Sequence, residues 1–238
     1  MSPKSKTRNT KLPFVFINMA VTADGKIATA NRAVHSFGSA RDLEHLYELR
    51  ATADAILCGA RTVEISETTL GNGSEKFRKS RIKNGLAEYP LRVLVSGSGS
   101  IDPSAKIFGK RFSPIIILTT KRASRQNLAE LRQRADEVKI CGESEVNFGA
   151  VLNWLKNDFG VKRLLCEGGG ELNDALFRAN LIDEIHLTIC PKIFGGRNAP
   201  TISDGKGLPK LALAKNFKLV SVRPEKSELF TTFLRKNR

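Results

Sequence analysis

The chain is poor in the residues that mark several protein classes. Its 238 residues include one tryptophan, two tyrosines, two methionines and three histidines, and aromatics make up only 7%. Without aromatic platforms, and without an RNP, helix-turn-helix or zinc-finger pattern, a dedicated nucleic-acid module is not expected. The four cysteines, Cys58, Cys141, Cys166 and Cys190, lie far apart with no Cys-x-x-Cys pair, which argues against a zinc site or a disulfide framework. Three of them sit inside apolar runs, and buried free thiols fit a reducing cytoplasm. Long apolar runs are missing too. The longest, such as 12–21, is too short for a bilayer span, and the basic start has no signal-type apolar region with a cleavage site. Neither a Gly-x-Gly-x-x-Gly fingerprint nor a Walker loop occurs. No internal repeat or clean domain boundary is visible, so residues 12–238 read as a single domain behind a disordered basic tail, 1–11. Acidic residues are few: 24 Asp and Glu against 39 Lys and Arg leave a net charge of +15. The basic residues are scattered through four clusters. That fits a solvated surface and phosphorylated small molecules rather than one nucleic-acid stripe.

What is present is a sheet with helices. The organising stretch is Lys162–Ala175, where the short apolar run Leu164-Leu165-Cys166 meets three glycines, Gly168, Gly169 and Gly170. Behind them Leu172, Ala175, Leu176 and Ala179 recur at helical spacing. Strand, glycine turn and helix form a geometry that cradles phosphates, because absent side chains let the backbone approach and the helix N-terminus offers free N–H groups. A tight structural turn has the same spacing. Glu167, a carboxylate at the end of that strand, favours a ligand crevice.

Taken in order, Phe14–Val21 is predicted as a strand ending in an Asp24-Gly25 turn. A helix follows from Ser39, with Asp42 as capping partner, Leu43, Leu46 and Tyr47 on its buried face, and Arg50 near its end. Ala55–Cys58 is a second strand, followed by a loop corner at Gly59–Val63. The region 66–90 reads as a long polar segment without regular structure. Strands at Leu91–Val95, Pro114–Leu118, Val138–Cys141 and around Leu164 alternate with helices at Ser124–Arg134 and Phe148–Asn157, which implies parallel pairing. Ile185–Cys190, Phe217–Arg223 and Leu229–Arg235 have no helix between them, so the end of the chain is expected to be antiparallel.

Three stretches together resemble one family. Asn18–Ala28, with its Asp24-Gly25-Lys26 turn, is similar to the opening of the riboflavin-biosynthesis reductases. Leu49–Val63, containing Arg50, Asp54 and Gly59-Ala60-Arg61-Thr62, is similar to their central segment. Glu167-Gly-Gly-Gly-Glu-Leu, then Leu181–Glu184 and Pro191–Gly196, resembles their C-terminal third. The resemblance covers roughly 13–235, and Asn18 aligns it with stand-alone archaeal and fungal members. It implies an α/β, three-layer dihydrofolate-reductase-like fold with a mostly parallel central sheet and antiparallel C-terminal strands. It further implies NADPH as cofactor, a phosphorylated ribosylaminopyrimidine as substrate, and a homodimer, with no metal, nucleic-acid or membrane partner.

Carried over residue by residue, the resemblance puts Ala20, Thr62, Ser66, Ser96, Gly168, Gly169, Gly170, Glu171 and Leu172 at the cofactor. Val34, Arg50, Leu70 and Glu167 fall at the substrate, and Asn18, Asp24 and Glu167 at the reacting centre. Arg50 can fork onto a phosphate, and Glu167 can accept hydrogen bonds from ribose hydroxyls. Glu167 as a helix cap, Arg50 as a surface arginine and Asp24 as a turn former are the structural alternatives. Lys121 and Arg122 are candidates for a cofactor 2′-phosphate. The chain departs from the family in Ser66–Leu70, which lacks the usual Asp and Pro, and at Gly73, where an Arg is usual. Lys76, Arg78 or Arg81 would then serve the substrate phosphate. A same-fold reductase of a pterin-like heterocycle, or a cofactor-binding relative without activity, is compatible with the same residues.

Overall fold

The computed structural model describes residues 11–32 and 37–236. The 1–11 tail expectation and Val34 therefore fall largely or wholly outside the described residues. Nine strands form one sheet: β1 (Phe14–Thr22), β2 (Ala55–Gly59), β3 (Leu91–Val95), β4 (Ile115–Thr119), β5 (Glu137–Ile140), β6 (Arg163–Cys166), β7 (Glu184–Cys190), β8 (Phe217–Glu225) and β9 (Glu228–Arg235). Their order is β5-β4-β3-β2-β6-β1-β7-β9-β8. The seven strands from β5 to β7 are parallel, and antiparallel pairing begins only at β7–β9 and continues at β8–β9. The segment predicted at Ile185–Cys190 is thus parallel to β1 on one side and antiparallel to β9 on the other.

Near-continuous apolar runs explain the central strands, because a parallel strand covered on both faces has no solvent side to alternate with. Every residue of β4 is buried. On one face β1, β2, β3 and β4 pack against α5 (Phe148–Phe159) and α6 (Gly170–Arg178). On the other, Ile56, Leu94, Ile115 and Ile117 meet Val63 of α2 (Ala60–Ser66) and Leu131 of α4 (Arg125–Arg134). Phe16 and Leu165 there meet Leu49 of α1 (Ala40–Arg50). Three layers result.

Two predicted elements are corrected. The corner at Gly59–Val63 is the start of α2, and the region read as irregular contains α3 (Glu75–Lys83). Only Phe77 and Arg81 of α3 are buried, so it has no apolar stripe that periodicity could reveal. On α1, Leu43 is exposed while Arg50 is buried. Ser39 caps α1 as expected, accepting from the N–H groups of Arg41 and Asp42. Its partner is not Asp42, however. The Ser39 N–H and hydroxyl donate to Glu228 of β9 at 2.8 and 2.6 Å.

Candidate active site

β6 lies between β1 and β2, so the C-terminal ends of these three strands converge on one edge. Acids fix the opposite edge: Asp54 Oδ2 accepts from the Lys162 and Arg163 N–H groups, and Asp183 Oδ2 from that of Val15. In open α/β sheets ligands bind beyond the C-terminal strand ends. Two clefts open there.

The first, of about 860 Å³, runs from Gly59 and Thr62 past Ser96–Ser98 to the start of α6. Gly169 is the N-cap of α6 and no side chain caps it, so its first N–H groups are available to an anion. The cradle has no room for side chains. A Cβ on Gly170 would stand 2.7 Å from the Thr201 carbonyl, and one on Gly168 3.0 Å from Met19 Sδ. The Gly168 carbonyl accepts from the Gly59 N–H at 2.7 Å, tying the cradle to the end of β2.

The second cleft, of about 770 Å³, lies between β1 and α1 and reaches the loop 66–73. Asn18, Ala20, Asp42, Arg50 and Glu167 are on its walls. Arg50 donates from Nε and Nη2 to Glu167 Oε1 and Oε2 at 2.7 and 2.6 Å, and from Nη1 to the Gly71 carbonyl at 2.6 Å. Burial works against the Arg50 charge, but the Glu167 carboxylate outweighs it and holds the guanidinium above its ordinary pKa. Cys58, beneath them, is a buried thiol whose pKa burial pushes well up, with Glu167 adding to it; Cys166 is pushed up to about 12 by burial. Neither thiol is a nucleophile.

The two clefts share Met19, Ile27, Thr62 and Glu167. Of the residues expected at a ligand, Thr62, Ser96, Gly169, Gly170, Glu171 and Leu172 line the first cleft. Asn18, Ala20, Thr62, Ser66, Arg50 and Glu167 line the second. Ala20 and Ser66, expected at the cofactor, therefore face the other cleft, and the Ser66 hydroxyl donates to the Thr62 carbonyl at 2.6 Å. Three expectations fall outside both clefts. Leu70 is fully buried in the core. Gly168 contributes only its backbone to the cradle. Asp24 is a turn former: Thr22 and the N–H groups of Phe194 and Gly195 donate to its carboxylate, and the Thr22 hydrogen bond chiefly lowers its pKa.

The cations also differ from expectation. Arg50 is neither a surface arginine nor a free phosphate fork, because Glu167 occupies it. Lys76 pairs with Glu44, Arg78 with Glu75 and Glu88, and Lys121 with Glu143. Arg81 is fully buried, donating to the carbonyls of Arg50, Ala53 and Ala87. That leaves Lys110 on the second cleft and, on the first, Arg122 lying over Gly97 together with Arg32 and Arg61. Sequence reasoning missed Met19, Ile27, Asp42 and Lys110. The alternation of β1 carries the signal for one of them: Asn18 and Ala20 share a face, and Met19 between them faces the cradle.

Two clefts joined at the strand ends share walls at Met19, Thr62 and Glu167, an α/β arrangement with room for two ligands side by side. The chain belongs to the RibD C-terminal domain family, whose model matches residues 13–230. It is 35% identical over 198 residues to the 2,5-diamino-6-ribosylamino-4(3H)-pyrimidinone 5′-phosphate reductase of Archaeoglobus fulgidus, covering 83% of this chain and 89% of that one. The reductase of the same name from Methanothermobacter thermautotrophicus is 34% identical, covering 87% and 91%. Among solved structures, a pyrimidine reductase-like protein from Corynebacterium diphtheriae superposes with a TM-score of 0.80 at 20% identity, over 95% of this chain and 93% of that one. No helix among the described residues is long and apolar enough to cross a membrane.

Proposed function

We propose that the chain is an NADPH-dependent reductase that converts a ribosylaminopyrimidine 5′-phosphate to its ribitylamino product, with the 2,5-diamino pyrimidinone as preferred substrate. The observation that carries this reading is the shared wall of the two clefts. Direct transfer needs donor and acceptor carbons roughly 3–3.5 Å apart, which contiguous clefts permit. The names of the Archaeoglobus and Methanothermobacter relatives support the diamino form.

The first cleft fits a dinucleotide. The uncapped start of α6 suits the diphosphate, Thr62 and Ser96 offer hydroxyls, and Arg122 suits the 2′-phosphate that separates NADPH from NADH. Bound there, NADPH supplies the hydride. In the second cleft Arg50 holds Glu167 as an oriented carboxylate that accepts from ribose hydroxyls, and Lys110 takes the substrate phosphate as a point charge. Consumption of NADPH with the diamino substrate, lost in Glu167→Ala, tests the reading. NADPH binding with neither pyrimidine reduced would refute it.

The same reading includes a homodimer through β8. This edge strand is exposed along its length, with Leu219, Val220 and Val222 among its exposed apolar residues. An uncovered apolar edge is what natural sheets avoid. Sedimentation should give the dimer mass for the wild type and the monomer mass for Val222→Lys.

A further inference from the structure

Reducing a C=N bond takes a hydride to carbon and a proton to nitrogen, and no residue has so far been assigned the proton. We propose that Asp42 is the general acid of the second cleft; the inference rests on the reductase reading above. The acceptor is the open-chain imine of the ribosylamine. Its C1′ takes the hydride of the reduced nicotinamide as its nitrogen takes the Asp42 proton, and the carboxylate left behind is reprotonated from solvent.

The geometry is specific. Asp42 stands at the third position of α1, where a carboxylate would ordinarily close a capping box. Glu228 has taken that role from β9. Asp42 is left on the cleft wall with a buried Oδ1 that has no hydrogen-bond partner. It neighbours Thr188, which pairs in register with Ala20, and Ala20 lines the same cleft one residue from the shared wall at Met19. Asp42 is therefore an acid beside the junction whose Oδ1 has no hydrogen-bond partner and whose carboxyl neighbours the Thr188 hydroxyl.

The direction of its pKa shift follows from its neighbours. The groups facing it are the Glu228 carboxylate from β9 and the Cys190 thiol from β7. Among the described residues no cation pairs with it: Arg41, on its own helix, is taken up by Glu44, Glu48 and Glu225. Burial pushes the Asp42 carboxyl up and Glu228 adds to this, with the Thr188 hydroxyl working the other way. The other carboxyl groups on the cleft are ion-paired, Glu167 with Arg50 and Glu67 with Lys106. A carboxyl pushed toward its protonated form, on the same cleft wall as ion-paired ones, is an arrangement in which environment separates acid from base.

The test compares the wild type with Asp42→Asn and Asp42→Glu. The Asn variant should bind NADPH as tightly as the wild type but lose about 100-fold or more in kcat, the scale of general acid catalysis. It should also lose the alkaline limb of the kcat profile, while the Glu variant retains turnover with that limb shifted. Undiminished kcat in Asp42→Asn, or equal loss in both variants, would overturn the proposal. A second readout needs no substrate: the carboxyl carbon resonance of Asp42, assigned by its loss in Asp42→Asn, should titrate well above the ordinary aspartate value of about 3.9. A midpoint at that ordinary value overturns the proposal. Failure of the reductase reading shows separately, as a wild type that reduces neither pyrimidine.

Discussion

Arg50 and Glu167, 117 positions apart in sequence, meet in a two-pronged ion pair at the floor of the second cleft. Both side chains are almost fully buried. A buried pair adds little net stability over apolar residues of the same shape, yet removing one partner strands the other charge at a cost of roughly 3–5 kcal/mol. Arg50→Ala should therefore lower the unfolding free energy by about that amount in denaturant titrations. Arg50→Lys should recover only part of it, because an ammonium cannot hold both carboxylate oxygens at once. The Arg50 variants should also raise KM for the pyrimidine more than for NADPH.

Arg122 bears on cofactor choice. It lies on the first cleft over Gly97, and among the described residues no acid pairs with it, whereas Lys121 is held by Glu143. A hydrogen bond to a charged group is worth about 1.5–3 kcal/mol. Arg122→Ala should raise KM for NADPH about 10- to 100-fold and leave NADH nearly unchanged. An equal effect on both cofactors would place the 2′-phosphate elsewhere.

Lys110 is assigned the substrate phosphate because the other candidates are occupied. Lys110→Ala should raise KM for the phosphorylated substrate about tenfold with little change in kcat, the pattern of a contact made equally before and during reaction. Turnover of a dephosphorylated analogue should be insensitive to the substitution.

His45 predicts the acid side of the stability profile. It sits between α1 and the sheet with its ring 5.7 Å from that of His186, and burial chiefly lowers its pKa. A histidine held neutral in the fold contributes its full stability above the unfolded value of about 6.5. That contribution is lost as pH falls through 6.5 toward the folded value, because the unfolded chain then binds the proton more readily. Unfolding at about pH 7.5 and about pH 5.5 should show a larger loss in the wild type than in His45→Phe.

The sheet was legible because its strands are short apolar runs bounded by turn residues. Leu91–Val95 matches β3 end for end, and Ser39 announced α1 by its capping chemistry. The helix α3 was not legible, since its two inward residues are Phe77 and an arginine whose charge is met by backbone carbonyls. Nothing local marks Arg81 as buried. The cradle at Gly168–Gly170 and Glu167 could be read as a ligand corner, but the partner of Glu167 could not, because tertiary pairing across 117 residues leaves no periodic trace. Its spacing from Ser39 marks Asp42 as a cap for a sound local reason. The residue that displaced it, Glu228, arrives from the last strand.

If the two clefts bring a nicotinamide and a pyrimidine ribosylamine together at Met19, Thr62 and Glu167, hydride passes directly from one to the other. The most direct test is isotopic: NADPH carrying deuterium at the transferred position of C4, the diamino substrate, and mass analysis of the product. One deuterium is expected on C1′ of the ribityl chain, with none acquired from deuterated solvent at that carbon. A product without the label, or NADPH oxidation with no ribityl product, would contradict it.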